Sequence, residues 1–247
     1  MSDLMLPSWQ ILLPGIPISS SRGALGWSTV TLIQAGEHNL LADTGSYGDR
    51  ALLLAALHGA GLVPEDIHAL FLTHFHYDHI LNFDLFANAV IHLSAAEADY
   101  VSKGGYQLAN DPFVPAALLP LLAERIRPFS GEVELLDGVK TVPLPGHTPG
   151  MTGLLLEQEG VLVAGDAIKN GHEFAGGTPP PVFGDRDEAL QSYRRSVETA
   201  RVIIPGHDAP FRLQHESGIE YLESYSLEIV LADRPGQEAE TLHLPRR

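Results

Sequence analysis

The sequence predicts a mixed α/β fold in a single domain spanning 1–247. Short apolar runs typical of buried strands alternate with segments that carry helical start and stop signals. The chain has 247 residues, of which 45% are hydrophobic, and this is enough for one layered core. No run approaches the roughly 18 apolar residues of a membrane span. A soluble, single-domain protein is therefore expected.

Strands and helices are predicted in alternation along the chain. The predicted strands are 29–34, 39–42, 69–72, 88–93, 133–135, 140–142, 153–157, 161–164 and 202–204. The predicted helices are 50–58, 95–102 and 188–201. Asp49 and Asp187 are the candidate N-caps of the first and third helices, and Ser94 and Glu97 have the spacing of a capping box for the second.

Two segments stand outside this alternation. Residues 103–130 contain Gly-Gly and four prolines in a broken pattern, and they are interpreted either as a lid or wall of a substrate site or as a plain helical connector. Residues 213–247 form an acidic tail, in which 226–232 and 240–244 are predicted to pair as an edge hairpin.

The most informative motif is His74-Phe75-His76-Tyr77-Asp78-His79, directly after the apolar run 69–72. A strand that ends in a loop can direct several side chains at one point. Imidazoles and a carboxylate are ligands that suit zinc-like divalent ions. A His-rich surface loop is the alternative, but four metal-capable side chains in six residues favour a metal site.

Three further apolar runs end in a metal-capable residue. Each of these residues directly follows a glycine, which permits a sharp turn at the end of a strand; they are His147, Asp166 and His207. With the first motif they give five His and two Asp, which is enough for two adjacent divalent ions.

This set resembles the ligand signature of the metallo-β-lactamase-fold hydrolases, over the chain from about the Asp43-Thr44-Gly45 turn to His207. The resemblance implies an αββα four-layer sandwich, in which two mixed β-sheets are flanked by helices. It also implies His74, His76 and His147 on one metal, Asp78, His79 and His207 on the second, and Asp166 bridging both. The segment from Pro205 to Phe211 is similar to the branch that contains glyoxalase-II-like enzymes, lactonases and relatives of metallo-β-lactamase domain-containing protein 1.

The expected cofactor is a pair of divalent ions, zinc first, with iron or manganese as alternatives. Zinc lowers the pKa of bound water from about 15.7 to roughly 7, which gives a nucleophile at neutral pH. Two neighbouring cations repel, and Asp166 together with a bridging hydroxide would supply compensating negative charge. Asp78 is the candidate proton carrier and therefore the candidate catalytic residue.

Differences between this sequence and known branches of the family reduce the number of activities to consider. The chain has no Cys, which excludes β-lactamases with a Cys ligand, and His76 argues against flavin-linked di-iron relatives. Lys169 stands where lactonases typically have Tyr, three positions after the bridging Asp. The predicted activity is hydrolysis of a small ester, lactone or thioester by a metal-bridging hydroxide.

Further site residues are predicted by their position in the sequence. Tyr77 lies within the first motif, and Lys169, His172 and Phe174 follow the bridging Asp, so these four are candidate substrate contacts. Asp43 could orient a ligand His, as outer carboxylates often do, or could simply satisfy its own turn.

The net charge of the chain indicates which partners it can bind, and its first residues indicate its location. The formal net charge is −16, with 15 Lys and Arg against 31 Asp and Glu, and this balance disfavours nucleic acid and favours a small-molecule substrate. The first residues lack the basic and apolar regions of a signal peptide, so a cytoplasmic location with no membrane association is expected. The oligomeric state stays open, with a homodimer as one option.

Three other functions use the same residues. A metal-dependent phosphodiesterase or ribonuclease would require a basic groove, which 103–130 could form. A mononuclear iron dioxygenase of the persulfide type could use the first motif alone. A non-catalytic metal scaffold is the third alternative.

Overall fold

The computed structural model describes residues 6–21, 23–177, 179–214, 218–223, 226–231 and 240–245. Its β-strands are β1 Ser8–Leu13, β2 Ser19–Ser20, β3 Gly23–Ala24, β4 Val30–Ala35, β5 His38–Ala42, β6 Ala69–Phe71, β7 Val90–Ser94, β8 Ile126–Phe129, β9 Glu134–Leu136, β10 Val139–Pro143, β11 Thr152–Leu156, β12 Val161–Gly165, β13 Val202–Pro205, β14 Phe211–Leu213, β15 Ile219–Tyr221, β16 Ser226–Leu231 and β17 Glu240–Pro245. Its α-helices are α1 Arg50–Gly59, α2 Tyr77–Ile80, α3 Ala95–Ser102, α4 Gly105–Leu108, α5 Leu119–Leu122, α6 Gly171–Ala175 and α7 Arg186–Thr199.

The longer strands form two mixed sheets. The first has the order β1-β4-β5-β6-β7-β8, antiparallel from β1 to β5 and parallel from β5 to β8. The second has the order β15-β14-β13-β12-β11-β10-β9, in which only β12 and β13 are parallel. The hairpin predicted at 29–42 is confirmed as β4 and β5.

Three apolar clusters show how the layers stack. One lies between the two sheets and joins Phe71 of the first sheet to Ile204 of the second. Another packs the outer face of the first sheet against α1, through Leu53 and Leu57. The third packs the outer face of the second sheet against α6 and α7, through Phe174 and Tyr193. The layer order is helix, sheet, sheet, helix, and the αββα prediction is confirmed.

The loops that carry the predicted site residues lie at the same end of the two stacked sheets. They follow β5, β6, β10, β12 and β13, and they bring in turn Asp43, the first His motif, His147, Asp166 and His207. Loops that meet at one edge of two stacked sheets can place side chains from distant parts of the sequence around one centre.

Two predicted helix caps differ from the structure. The cap of α7 is Asp185, whose side chain accepts hydrogen bonds from the backbone N–H groups of Asp187 and Glu188. Asp187 was the wrong choice because it already lies within the first turn. Asp49 occupies the N-cap position of α1 as predicted, but its carboxylate makes no capping bond and instead accepts from the Ser46 N–H in the preceding turn.

Some elements were not predicted. The segment 103–130 contains α4, α5 and β8, and β8 extends the first sheet. Strand β14, which ends where the acidic tail begins, and β15 within the tail both join the second sheet. Strands β16 and β17 pair antiparallel as a separate two-stranded sheet, and position 232 of the predicted hairpin lies outside the described residues. Within the described ranges, no helix has the length and apolar character that crossing a membrane requires.

Candidate functional site

Seven predicted metal-ligand side chains lie together in the interior, within three overlapping groups. The ligand atoms in each group lie within 4.8 Å of one another, and the groups are His74, His76 and His147; His74, His79 and Asp166; and Asp78, His79 and His207. All seven residues are buried. The structure therefore brings together residues that are up to 133 positions apart in the sequence.

Asp166 lies between the first and the third of these groups. Its Oδ1 is 3.4 Å from His79 Nε2 and 3.2 Å from His207 Nε2, whereas its Oδ2 is 3.5 Å from His147 Nε2. Each carboxylate oxygen thus faces a different group. This is the arrangement that a carboxylate shared by two cations requires.

Each of the five imidazoles uses its other ring nitrogen to bind an oxygen outside the cluster. His79 Nδ1 is 2.8 Å from Asp43 Oδ2, and His76 Nε2 is 2.9 Å from Asp111 Oδ2. His147 Nδ1 and His207 Nδ1 donate to the backbone carbonyls of Pro181 and Trp27. Because a carbonyl or carboxylate oxygen can only accept, these outer nitrogens each carry a proton, and the inward nitrogen of every neutral ring presents a lone pair.

His74 is oriented through a hydroxyl. Thr73 Oγ1 donates to Asp43 Oδ2 at 2.8 Å and lies 3.0 Å from His74 Nδ1. Since the hydroxyl proton is already directed at Asp43, Thr73 accepts from His74 Nδ1–H, and the lone pair of His74 Nε2 faces the cluster. Asp43 therefore orients both His79 and His74, which agrees with the role expected for an outer carboxylate.

Buried polar atoms without hydrogen bonds test whether cations fit this cluster. The inward Nε2 atoms of His74, His79 and His207 and the Oδ1 of Asp166 have no hydrogen-bond partner. The short distances between Asp166 and the imidazoles do not have hydrogen-bond geometry. Unpaired buried polar atoms are costly, and here they converge on the same space. The donor set fits divalent ions.

The electrostatics of the cluster also favour cations. Burial lowers the pKa of His74 well below its usual value and that of His147 to about 3, so both rings are neutral. Burial opposes charge on Asp166, yet His207, Lys169 and His79 hold its pKa well below the ordinary value. Burial also opposes a charge on His79, but the carboxylates of Asp43, Asp78 and Asp166 raise its pKa well above normal. A cation must displace that proton to reach Nε2.

Two cavities open beside the cluster, each about 220 Å³ in volume. The first, which we call the aromatic lobe, is lined by Tyr77, Phe113 and Phe183 together with His76, Asp78, His147 and Asp166. The second, the polar lobe, is lined by Ile16, Ser19, Asn170, Glu173 and His207 among others. Lys169 and Pro181 line both lobes, so the lobes meet at these two residues.

The four predicted substrate contacts separate into two pairs. Tyr77 lines the aromatic lobe, and Lys169 lines both lobes with its Nζ 3.4 Å from Asp166 Oδ2. Phe174 is instead buried in the core, where it packs against Tyr193 and Phe211. His172 is exposed on α6 and lines neither lobe. For Phe174 the prediction was wrong, because its side chain packs into the core, whereas substrate contact by His172 stays a prediction.

Several residues of the site carry no local signal in the sequence. Asp111 is 35 positions from His76, within an Asn-Asp-Pro segment that predicts only a turn. Phe113 and Phe183 come from irregular segments and contact each other and the His76 ring. Phe113 belongs to the segment 103–130, which therefore contributes one side chain to the wall of the aromatic lobe.

Glu97 is a further buried residue that connects two site loops. Its Oε1 accepts from the Phe75 N–H at 2.9 Å, and its Oε2 accepts from the Thr148 hydroxyl at 2.7 Å and the Gly150 N–H at 3.1 Å. The predicted capping box is only half formed: Ser94 caps the Glu97 N–H, but the Glu97 side chain is directed to the loops instead. Glu97 thus holds the His74–His76 segment against the segment that follows His147.

The glycine before His207 is required by close packing. Gly146 and Gly165, which precede His147 and Asp166, have φ values of +135° and +52°. Gly206 has no positive φ, but a Cβ at this position would lie 2.0 Å from Asp166 Oδ1. The prediction that a glycine permits a sharp turn before the ligand therefore holds for Gly146 and Gly165. Gly206 instead allows the end of β13 to lie close to Asp166.

Replacement of Gly206 by Ala is expected to displace Asp166. Overpacking of this kind costs about 1–3 kcal/mol of folding stability. Denaturant unfolding and the zinc content after dialysis would measure the effect, and both should fall. Gly48→Ala is the matched control, because a Cβ there meets no atom within 4 Å and the residue has no positive φ. Equal zinc content in the two variants would contradict this role of Gly206.

Comparisons with known proteins agree with the fold and identify the family. Residues 25–207 match the family model described as the metallo-beta-lactamase superfamily. The Xenopus laevis protein called metallo-beta-lactamase domain-containing protein 1 is 34% identical over 193 residues, which cover 75% of this chain and 72% of that protein.

Solved structures share the architecture. A structure from Thermotoga maritima has a TM-score of 0.67 at 23% identity, covering 84% of this chain and 99% of the other. An N-acyl homoserine lactone hydrolase, solved with the product N-hexanoyl-L-homoserine at its catalytic metal center, has a TM-score of 0.60 at 25% identity, covering 73% and 80% of the two chains. The matched family model spans most of the chain, including every residue of the buried cluster, and the chain belongs to the metallo-beta-lactamase superfamily.

Proposed function

We propose that this chain is a dinuclear zinc hydrolase that acts on a small ester, lactone or thioester. The observation that carries the proposal is the convergence of five inward imidazole nitrogens with the carboxylates of Asp78 and Asp166, with every imidazole fixed by an oxygen on its far side. Outer oxygen partners of this kind are typical of metal-binding His.

The residues divide between two cations. His74, His76 and His147 would hold one, Asp78, His79 and His207 the other, and Asp166 would bind both through its two oxygens. An all-nitrogen and oxygen donor set without Cys suits zinc, and it also accepts iron or manganese. Divalent ions at this place lower the pKa of water and polarise a carbonyl, which is the chemistry that hydrolysis needs.

Lys169 and Asp78 supply charge and proton transfer beside the cations. Asp166 raises the pKa of Lys169, so its side chain is an ammonium at neutral pH and can stabilise negative charge that develops on a substrate oxygen. Asp78 lines the aromatic lobe with its Oδ2 3.4 Å from His207 Nε2. Its position at the lobe makes it the carrier that would take a proton to the leaving group.

The cavities support a small substrate over a polynucleotide. Among the described residues, Lys169 is the one Lys or Arg that lines either lobe. The three basic side chains of 103–130 have other partners: Lys103 pairs with Asp99, Arg125 binds the carbonyls of Phe86 and Ala89, and Arg127 binds those of Glu124 and Ile126. No basic groove forms from that segment, and a phosphodiesterase or ribonuclease gains no support.

Metal content and substrate hydrolysis, measured together, test the proposal. Plasma mass spectrometry is expected to give two zinc ions per chain. The zinc-loaded protein should hydrolyse members of a panel of small esters, lactones and thioesters, lose this activity on chelation, and regain it when zinc is restored. One iron per chain with oxygen uptake on a glutathione persulfide, or cleavage of bis(p-nitrophenyl) phosphate in place of the panel, would overturn the proposal.

A further inference from the structure

The polar lobe contains a buried acceptor that the proposed chemistry does not use. Glu173 lies on α6, and its Oε2 is buried without a hydrogen-bond partner in the described part of the chain. Four other buried side-chain atoms in the same condition belong to the metal-binding cluster, where cations would satisfy them. Glu173 is not part of that cluster, so a different partner is required.

The backbone around Glu173 is fixed while its carboxylate can turn. The Glu173 N–H donates to Asn170 Oδ1 at 2.8 Å, which caps α6. Rotation of a carboxylate about its last side-chain torsion is soft, so either oxygen can be presented to the lobe. The wall of the polar lobe therefore offers a carboxylate acceptor on an anchored backbone.

The charges that line the polar lobe favour a neutral hydrogen-bond donor over a cationic one. Lys169 lines the same wall, and its ammonium partly compensates the Glu173 carboxylate. A cationic ligand would meet the Lys169 charge, whereas a hydroxyl or an amide N–H would not. A neutral donor next to a carboxylate forms a charge-assisted hydrogen bond, which is stronger than a bond between neutral groups.

We propose that the polar lobe is a subsite for a neutral hydrogen-bond donor, a hydroxyl or an amide N–H, and that Glu173 is its acceptor. The inference rests on the proposed hydrolase for the reacting centre between the lobes. The substrate would place an apolar group against Phe113 and Phe183 and a donor-bearing arm beside Glu173. A cavity of about 150 Å³ holds benzene, so a lobe of about 220 Å³ accepts an arm somewhat larger than a benzene ring.

Binding of two matched amides tests this subsite without requiring turnover. N-(2-hydroxyethyl)-N-methylphenylacetamide and N-methyl-N-propylphenylacetamide have no N–H donor and differ only in a hydroxyl against a methyl at the end of one arm. Calorimetry on the zinc-loaded protein is expected to show roughly tenfold tighter binding of the hydroxyl compound, as for a hydrogen bond to a charged group. In Glu173→Met, which keeps the length of the side chain, the ratio should fall to about one.

Two further variants separate the acceptor from other effects. Glu173→Gln keeps one acceptor oxygen and should keep part of the preference. Glu198→Met removes the same charge from an exposed position on α7 and should leave the ratio unchanged. The same ratio in the unaltered protein and in Glu173→Met would overturn the subsite. A preserved amide preference without hydrolysis of any ester would support the subsite and count against the hydrolase instead.

Discussion

Replacement of Asp166 by Asn is expected to lower kcat/KM for an ester or lactone by about 10²–10³-fold, the equivalent of several kcal/mol of transition-state stabilisation. Asn has the shape of Asp, but it lacks the negative charge and has one acceptor oxygen in place of two. The two oxygens of Asp166 face His147 on one side and His79 and His207 on the other. Without the charge between them, two neighbouring cations would repel each other more strongly.

The metal content should change together with the rate. We expect zinc to fall from two ions per chain to about one, measured by mass spectrometry after dialysis against a weak chelator. Asp99→Asn is the matched control, because Asp99 pairs with Lys103 on the surface. Two tightly held ions and unchanged kcat/KM in Asp166→Asn would rule out a shared carboxylate.

The cluster could be predicted from the sequence because its residues follow strands. A strand that ends at a glycine has few ways to continue, so a His or Asp at that point is directed to the sheet edge. Gly146-His147 and Gly165-Asp166 show this, with positive φ at each glycine. The sequence also suggested that Asp43 orients a ligand His, as one of two interpretations, but it did not indicate that His79 is that ligand.

The rest of the site depends on packing that no local pattern records. Asp111 reaches His76 because the irregular segment after α4 folds back over the first motif, where Phe113 O accepts from the Tyr77 N–H. Phe113 and Phe183 are brought together from segments with no strand or helix periodicity. Strands β8, β14 and β15 were missed because they are short and are recruited by neighbouring strands rather than by their own sequence.

The position of Glu97 at the start of a helix was predicted from the sequence, but its role in holding the site loops was not. The sequence placed it at the start of a helix, where a Glu ordinarily binds back to the cap residue. In the structure Gly150 packs so closely that a Cβ there would lie 2.0 Å from the Glu97 backbone nitrogen, and the carboxylate binds the loops instead. The first turn of α3 thus holds both loops in place through the hydrogen bonds of Glu97.

Replacement of Glu97 by Ala is therefore expected to weaken zinc binding at His74, His76 and His147 by about 10–100-fold, as for other outer partners of metal ligands. Three buried donors would lose their acceptor, and each costs about 1–3 kcal/mol of stability. Glu97→Gln should be intermediate, because one oxygen can still serve Thr148 and Gly150 while the amide meets the Phe75 N–H with another donor.

Competition with a chromogenic chelator would measure the two zinc affinities separately, and only one of them should change in the Glu97 variants. Leu53→Ala is the matched control, because it removes a fully buried side chain of α1, with a stability loss of about 2–5 kcal/mol, and breaks none of the hydrogen bonds that Glu97 makes to these loops. If Leu53→Ala weakens zinc binding as much as Glu97→Ala does, Glu97 acts only through global stability. A lower affinity confined to the Glu97 variants would identify it as the residue that positions His147 relative to His74 and His76.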